Sequence, residues 1–511
     1  MDVKQVGLIG TGGMGGMLAL LFAELGISVH FYDPSDANTK KVLDNARKIK
    51  LDDKVKRHDD HASLCKALPP PRAFLFSLPH GQVIDSTVDA LLPHLNPGDV
   101  LMDASNEHYT ATERRQGSLS KHDIHYVGMG VSGGYQSARH GPSISPGGTK
   151  QALETAYPLL EKICARDVNG KPCLAKLGPG GAGHYTKMVH NGIEQGLMGA
   201  LCEVWGIMRW GLDMSLPEIG DVFEKWNSEG PLKDNFLIDI GADICRTKDD
   251  KGEFVIDTIM DKVVQDVDEA EGTGVWTVEE AARLHIPIPT IAAAHMFRLG
   301  SAHAARRKAA AAAFGHPDNS KDKVIDAVWD GDKQTAVTDL HRALHAAFLL
   351  SFIQGLHLLA AASDEKKWDL KFDEILQLWR AGCIIRSDAL NDLFKDVYKN
   401  SKTDPHNLLA NEAVASALQD TNVGLRRVVV RSTEADLPVP SISASLEYFK
   451  FMTSTLLPTR FMEAELDYFG MHMYDEVSEG PGEPKTGKHH YEWKPARGRR
   501  EQEELAHRGK K

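Results

Sequence analysis

Residues 5–16 read QVGLIGTGGMGG, and their order decides the fold of the first part of the chain. The apolar run Gln5–Ile9 predicts a short strand, and Met14–Leu25 has helical periodicity that stops at Gly26. Between them stands Gly10-x-Gly12-x-x-Gly15. A glycine turn placed between a strand and a helix is the context of a dinucleotide-binding fingerprint. Gly10 permits the tight turn, Gly12 lets backbone approach a pyrophosphate, and Gly15 lets the helix lie close to the sheet. The helix then presents unpaired N–H groups to phosphate. The next strand, Ser28–Tyr32, ends at Asp33-Pro34-Ser35, which puts a carboxylate where it can accept from an adenosine ribose and repel a 2′-phosphate. The expected coenzyme contacts are Gly10, Gly12, Gly13, Met14, Gly15, Asp33, Pro34 and Ser35, and the expected coenzyme is NAD in preference to NADP.

Outward from this stretch the pattern continues. Ala73–Leu78 and Val100–Asp103 are two more apolar strand segments, with helical stretches between them. Strand–helix alternation predicts a parallel, doubly wound, Rossmann-like α/β sheet. Beyond Gly183 strand signals almost vanish. Long helical periods take over at His184–Trp210, Val278–Leu284, Ile288–Phe314, Thr335–Ala362 and Phe372–Trp379. After Pro438-Val-Pro440 one further helix is expected to about Phe469. The expected organisation is a dinucleotide-binding domain over 1–180, an all-helical domain over 181–440, and a final helix with a tail over 441–511.

Composition narrows the function classes. The 511 residues are 42% apolar and 25% charged, which excludes a chain disordered throughout. Lys+Arg number 59 against 71 Asp+Glu, a net charge of −12, which does not suit nucleic acid as a partner. Basic residues gather only at the end, in the set Lys485, Lys488, Lys494, Arg497, Arg499, Arg500, Arg508, Lys510 and Lys511, as in a solvated terminus. No long uncharged apolar run suggests a membrane span. Glycines arrive before any signal-peptide core, so the expected location is cytoplasmic. The six cysteines are scattered without a CxxC pair, which predicts reduced thiols and no zinc site.

The chemistry sits at residues 178–196, GPGGAGHYTKMVHNGIEQG. In the helix that starts near His184, Lys187, Asn191 and Glu194 fall at i, i+4 and i+7 and share one face. Met188, Val189 and Ile193 turn to the core. A lysine desolvated in a cleft can act as a base, and an amide and a carboxylate beside it can hold and protonate a hydroxy acid. The same spacing also fits a solvated helix face. Upstream, Gly130-Val-Ser132-Gly133-Gly134 offers backbone amides and a hydroxyl to a carboxylate, or is a plain glycine-rich loop.

At these residues the chain resembles the decarboxylating 6-phosphogluconate dehydrogenase family. The matching strings are Gly130–Gly134, Ala138–Ser143, Pro146–Gly148, Gly181–His184 and Lys187–Glu194. Further on they are Thr273-Gly274, Trp276-Thr277, Arg342–Leu344, Trp379-Arg380, Gly382–Ser387, Pro438–Pro440 and Asp467–Gly470 with His472. The resemblance runs from about residue 4 to about 475. It implies a coenzyme domain, a helical domain that makes a homodimer, and a tail that reaches into the partner's site. It implies oxidation of a small-molecule sugar acid at C3, loss of CO2 and protonation at C1, with Lys187 as the base and Glu194 as the acid. Asn106, Ser132, Gly133, Gly134, His190 and Asn191 match residues that bind substrate, and Asn106 also matches a coenzyme contact.

Two departures from the family stand out. The family's arginine after the second strand is absent, because Asp33-Pro34-Ser35 stands there instead. In the family's phosphate pocket Thr277, Arg298 and His472 are kept, whereas Gln195, Val275 and Leu466 replace a tyrosine, a lysine and an arginine. Two lost charge-assisted hydrogen bonds of roughly 1.5–3 kcal/mol each weaken binding of a dianion by about 10²- to 10⁴-fold. Either Lys450 or Arg460 substitutes, or the substrate is a related phosphate-free 3-hydroxy aldonate. The competing function classes are an NAD-linked β-hydroxyacid dehydrogenase without decarboxylation and a non-catalytic dinucleotide-binding scaffold.

Overall fold

The computed structural model describes residues 4–265, 272–315, 329, 332–399, 403–480, 482, 487–494, 498 and 502. Most of the basic C-terminal cluster, from Lys485 and Arg497 to Lys511, lies outside them.

Seven strands form one sheet: β1 (Gln5–Ile9), β2 (Ser28–Tyr32), β3 (Val55–Arg57), β4 (Ala73–Phe76), β5 (Val100–Asp103), β6 (His125–Val131) and β7 (Ile144–Gly147). Their order is β3-β2-β1-β4-β5-β6-β7. The first six are parallel, and β7 runs antiparallel to β6. Leu8 lies opposite Phe31 on one side and Leu75 on the other. Successive residues feed two cores. Leu75, Met102 and Val127 join the apolar layer under one face, and Phe74, Phe76 and Leu101 join the layer under the other. Burial on both faces explains why these strands read as continuous apolar runs. Helices α1 (Gly13–Glu24), α2 (Asp36–Lys48), α3 (His61–Ala67), α4 (Gln82–Leu91), α5 (Tyr109–Leu119), α6 (Gly134–His140) and α7 (Lys150–Ile163) connect and cover the sheet.

From Ala182 onward the regular elements among the described residues are helices. The elements are α8 (Ala182–Gly206), α9 (Leu216–Ser228), α10 (Phe236–Arg246), α11 (Thr273–Arg283), α12 (Pro289–Ala302), α13 (Ala304–Ala313), α14 (Lys333–Lys366), α15 (Phe372–Leu378), α16 (Asp388–Lys399), α17 (Glu412–Glu434), α18 (Pro440–Met452) and α19 (Thr459–Gly470). The α/β sheet followed by a helical domain is the architecture expected from sequence. α14 is the hub and packs against α8 and α17. It is the one described helix long and apolar enough to cross a membrane, and 94% of its apolar window is buried within the fold. The buried carboxylate of Glu203 on α8 accepts from the Ser441 and Ile442 amides at 2.7 and 2.9 Å, which closes the first turn of α18. Carboxylates suit helix N-termini.

Three expectations need correction. The sheet is not wholly parallel, because β7 folds back along β6. The period Ile288–Phe314 is two helices that break at His303, whose backbone leaves the helical region. The single helix expected after Pro440 is also two, α18 and α19, with Pro458 at the start of the second.

Residues Met1–Phe449 form one compact unit and Lys450–Lys511 a second. Within the second, Asp467 is the organiser. Its carboxylate accepts from the Met473 and Tyr491 amides, His490 Nδ1 and Trp493 Nε1 at 2.8–3.2 Å, which ties α19 to the segment around residues 489–493.

Candidate active site

The coenzyme cradle is built by backbone. Gly10 has φ +87°, and a Cβ on Gly15 would stand 2.1 Å from the Gly10 carbonyl oxygen. Glycine at both positions therefore lets α1 start directly against the end of β1. No side chain caps α1, and a Cβ on Gly12 or Gly13 would meet nothing within 4 Å. Unpaired N–H groups thus face open space, which fits a dinucleotide pyrophosphate. Met14 follows in the first turn. Asp33, 4% exposed, is fixed from three sides. Thr11 donates to its Oδ2 through N (2.6 Å) and Oγ1 (3.0 Å), Asn38 Nδ2 donates to Oδ2 at 3.3 Å, and the Ser35 amide donates to Oδ1 at 2.8 Å. Pro34 and Ser35 complete this turn, and the Ser35 hydroxyl caps α2. Asn106 is half-buried in the loop after β5.

The catalytic stripe is on α8. Its Met188, Val189 and Ile193 are buried, which turns Lys187, Asn191 and Glu194 to another face. A Cβ on Gly130 would stand 2.1 Å from Lys187 Cβ, so only glycine allows β6 this close to α8. The close approach brings Lys187 Nζ to the Ser132 hydroxyl at 3.0 Å. Ser132 Oγ lies 3.0 Å from His190 Nε2, His190 Nδ1 lies 3.0 Å from Asn191 Oδ1, and Asn191 Nδ2 donates to Thr273 Oγ1 at 3.0 Å. One proton arrangement satisfies every link: Ser132 O–H donates to His190 Nε2, and His190 Nδ1–H donates to Asn191. That tautomer is assigned from the network. Glu194 Oε2 stands 3.8 Å from His190 Nδ1. Burial, and then the Lys187 charge, hold the His190 imidazole well below its usual pKa, so it is neutral.

The glycines after Ser132 form a tight turn, with φ +95° at Gly133 and +66° at Gly134. A Cβ on Gly133 would meet Ser137 Oγ at 2.2 Å and the Gly382 carbonyl at 2.4 Å. Gly382 also accepts from the Ser143 amide at 2.8 Å, so the Gly382–Ser387 segment buttresses this loop.

Residues 5–178 match the NAD binding domain of 6-phosphogluconate dehydrogenase, and residues 183–493 match the 6-phosphogluconate dehydrogenase, C-terminal domain. The chain belongs to the 6-phosphogluconate dehydrogenase family. It is 41% identical over 502 residues to the decarboxylating 6-phosphogluconate dehydrogenase of Emericella nidulans, covering 95% of this chain and 100% of that one. It is 36% identical over 499 residues to the NADP(+)-dependent, decarboxylating enzyme of Bacillus subtilis, covering 96% and 100%. Its structure is similar to that of Plasmodium falciparum 6-phosphogluconate dehydrogenase, with a TM-score of 0.85 and 35% identity over 96% of this chain and 100% of that one. That protein has been solved alone, with its cofactor NADP+ and with its substrate 6-phosphogluconate.

Within this family framework the structure brings Lys187, Ser132, His190, Asn191 and Glu194 together. Four further substrate-binding candidates have surroundings of their own. Gln195 is buried, and its Oε1 accepts from His295 Nδ1 at 2.9 Å. Thr277 is fully buried and donates to the Met188 and Thr273 carbonyls at 2.9 and 2.8 Å. Arg298 is half-buried on α12. His472 belongs to the second unit, where its exposed ring meets Phe469 at 5.8 Å between centroids. Thr273, His295 and Gly382 were not expected as parts of the site. Thr273 and Gly382 lie inside the family strings, but neither carries a local chemical signal.

Proposed function

We propose that this chain oxidatively decarboxylates a 3-hydroxy sugar acid, 6-phosphogluconate or a closely related aldonate, to a ketose and CO2. The observation that carries the reading is the hydrogen-bonded run from Lys187 on α8, through Ser132 just after β6, back to His190 and Asn191 on α8. The coenzyme, when bound, supplies the hydride acceptor. Lys187 Nζ, once it has shed its own proton, takes the proton of the C3 hydroxyl, and the N–H so formed then hydrogen-bonds the new carbonyl oxygen. That N–H stabilises the negative charge that develops on the oxygen as the C1–C2 bonding pair moves into C2=C3 and C1 leaves as CO2. Glu194 delivers a proton to the former C2 of the resulting enediol, which becomes C1 of the ketose. Ser132, Gly133 and Gly134 hold the carboxylate, and Asn106, His190 and Asn191 orient the substrate. Gln195, Thr277 and Arg298 are assigned to its far end, with His472 supplied by the tail of a second copy.

The coenzyme is a nicotinamide dinucleotide held on Gly10–Gly15, with NAD preferred. Asp33 supports that preference, since a carboxylate there opposes a 2′-phosphate. Its Oδ1 has lone-pair capacity for a ribose hydroxyl. Arg57 is already committed to Asp36 at 3.0 Å. The Bacillus relative's NADP(+) dependence points the other way. The working assembly is a cytoplasmic homodimer with tail exchange, and its reaction suits the pentose phosphate pathway.

Initial rates with NAD and NADP, each with 6-phosphogluconate and with gluconate, test the reaction and the coenzyme preference together. The expected result is CO2 release with a higher kcat/KM for NAD. A clear NADP preference removes the Asp33 argument, and reduction of coenzyme without CO2 removes the decarboxylation. Micromolar KM for 6-phosphogluconate means that other groups replace the missing phosphate ligands.

A further inference from the structure

Two loops at the carboxyl ends of neighbouring strands are sewn into one surface. Arg115 on α5, 2% exposed, donates to Asp85 Oδ1 at 2.8 Å, Glu107 Oε2 at 2.6 Å and the Gly81 carbonyl at 3.0 Å. Glu107 in turn accepts from the Gly81 amide at 2.9 Å and the His108 amide at 2.8 Å. The loop after β4, which carries His80, and the loop after β5, which carries Asn106 and His108, therefore move as one piece. The sheet order reverses between β1 and β4, so the ligand crevice of this fold opens beside these loops.

Both histidines face one residue of the helical domain. The Trp276 indole on α11 meets His80 edge-on, with centroids 5.1 Å apart and an interplanar angle of 79°. It meets His108 in the same way at 5.2 Å and 89°. Edge-to-face aromatic pairs at this spacing are attractive and directional. His108 is also fixed as the cap of α5, its Nδ1 2.7 Å from Thr110 Oγ1. Gly272 has φ +52°, and a Cβ there would stand 2.3 Å from the Trp276 ring, so glycine clears the space that the indole occupies. One turn before Trp276, Thr273 accepts from Asn191. One residue after it, Thr277 donates to the Met188 carbonyl of α8. α11 thus touches the catalytic helix with one face and the two coenzyme-side loops with another.

We propose that Trp276, held between His80 and His108, is a positioning residue that sets the nicotinamide end of the coenzyme against the Lys187 stripe. It fixes the offset between the loop carrying Asn106 and the Asn191–Thr273 pair, and so the distance the hydride must cross. This rests on the reading that a dinucleotide lies across the ends of β1 and β4. The wild-type protein is therefore titrated first with oxidised coenzyme by calorimetry. If neither NAD nor NADP binds, that reading fails and takes this proposal with it.

Given binding, Trp276→Leu is expected to raise the coenzyme KM about tenfold. The KM for the sugar acid and the thermal midpoint stay nearly unchanged. Trp276→Phe keeps a ring and recovers most of the coenzyme affinity. His80→Ala and His108→Asn, the second retaining a capping side chain, each shift the coenzyme KM in the same direction. Equal rises in both KM values, a loss of thermal stability alone, or unchanged coenzyme KM in all four variants overturns the assignment.

Discussion

Lys187 donates into a series of hydrogen bonds that all point the same way, through Ser132 and His190 to Asn191. That order requires a neutral His190, and burial together with the Lys187 charge enforces it. A histidine depressed in the folded state contributes stability that is present above its unfolded pKa of about 6.5 and is lost as pH falls toward the folded value. The expected outcome is that NMR shows His190 remaining a neutral imidazole, with Nδ1 protonated and Nε2 bare, as pH falls through its unfolded pKa of about 6.5. An imidazolium signal at that pH would break the proposed direction of the run. At the same scale, Lys187→Ala is expected to lower turnover by at least about 10³-fold while dinucleotide binding persists. If turnover survives, the base is a different group. The spacing of Lys187, Asn191 and Glu194 was readable in the sequence because a helix repeats every 3.6 residues. The Ser132–His190 link was not, because the two positions lie 58 residues apart and meet only when β6 and α8 touch.

Elements were legible where local pattern and tertiary packing agree. β1, β2 and β5 fall at the expected residues because each is a short apolar run closed by a turn. β6 was missed for a physical reason. Its sequence HYVGMGV is diluted by Gly128 and Gly130, and those glycines exist because His184 and Lys187 press against the strand. Close packing thus erased the strand signal that propensity reads. The break at His303 was hidden by a run of alanines, which favour helix on both sides of it. In the C-terminal unit, α19 and the segment near residues 489–493 are joined by one carboxylate. Burial works to raise the Asp467 pKa, but His490, Trp493 and the Tyr491 and Met473 amides outweigh it and hold it well below the usual carboxylate range. A depressed carboxylate contributes stability above its unfolded pKa of about 3.9 and loses it as pH falls through the folded value. Asp467→Asn is expected to speed amide exchange across 487–494 by about tenfold at neutral pH. Unchanged exchange would mean that other contacts hold the tail together.

At the scale of the whole molecule, the second unit exposes what a folded chain normally covers. Leu456 is 73% exposed, Phe461 72% and Phe469 70%, and Met462 and Tyr468 are more than half exposed. Large apolar side chains gathered on one short unit mark an interaction surface. The proposed occupant is a second copy of the chain, in line with the expectation that the tail, with His472 on it, reaches a partner's site. The expected mass by light scattering at micromolar concentration is therefore about 112 kDa, twice the 56.2 kDa of one chain. Phe461→Asp combined with Phe469→Asp places two charges in that interface and is expected to shift the mass toward a single chain. Turnover should fall with it while coenzyme binding on Gly10–Gly15 stays intact, since that turn between β1 and α1 belongs to the first unit. A wild-type protein that runs at 56.2 kDa and still turns over would show that one chain completes its own site.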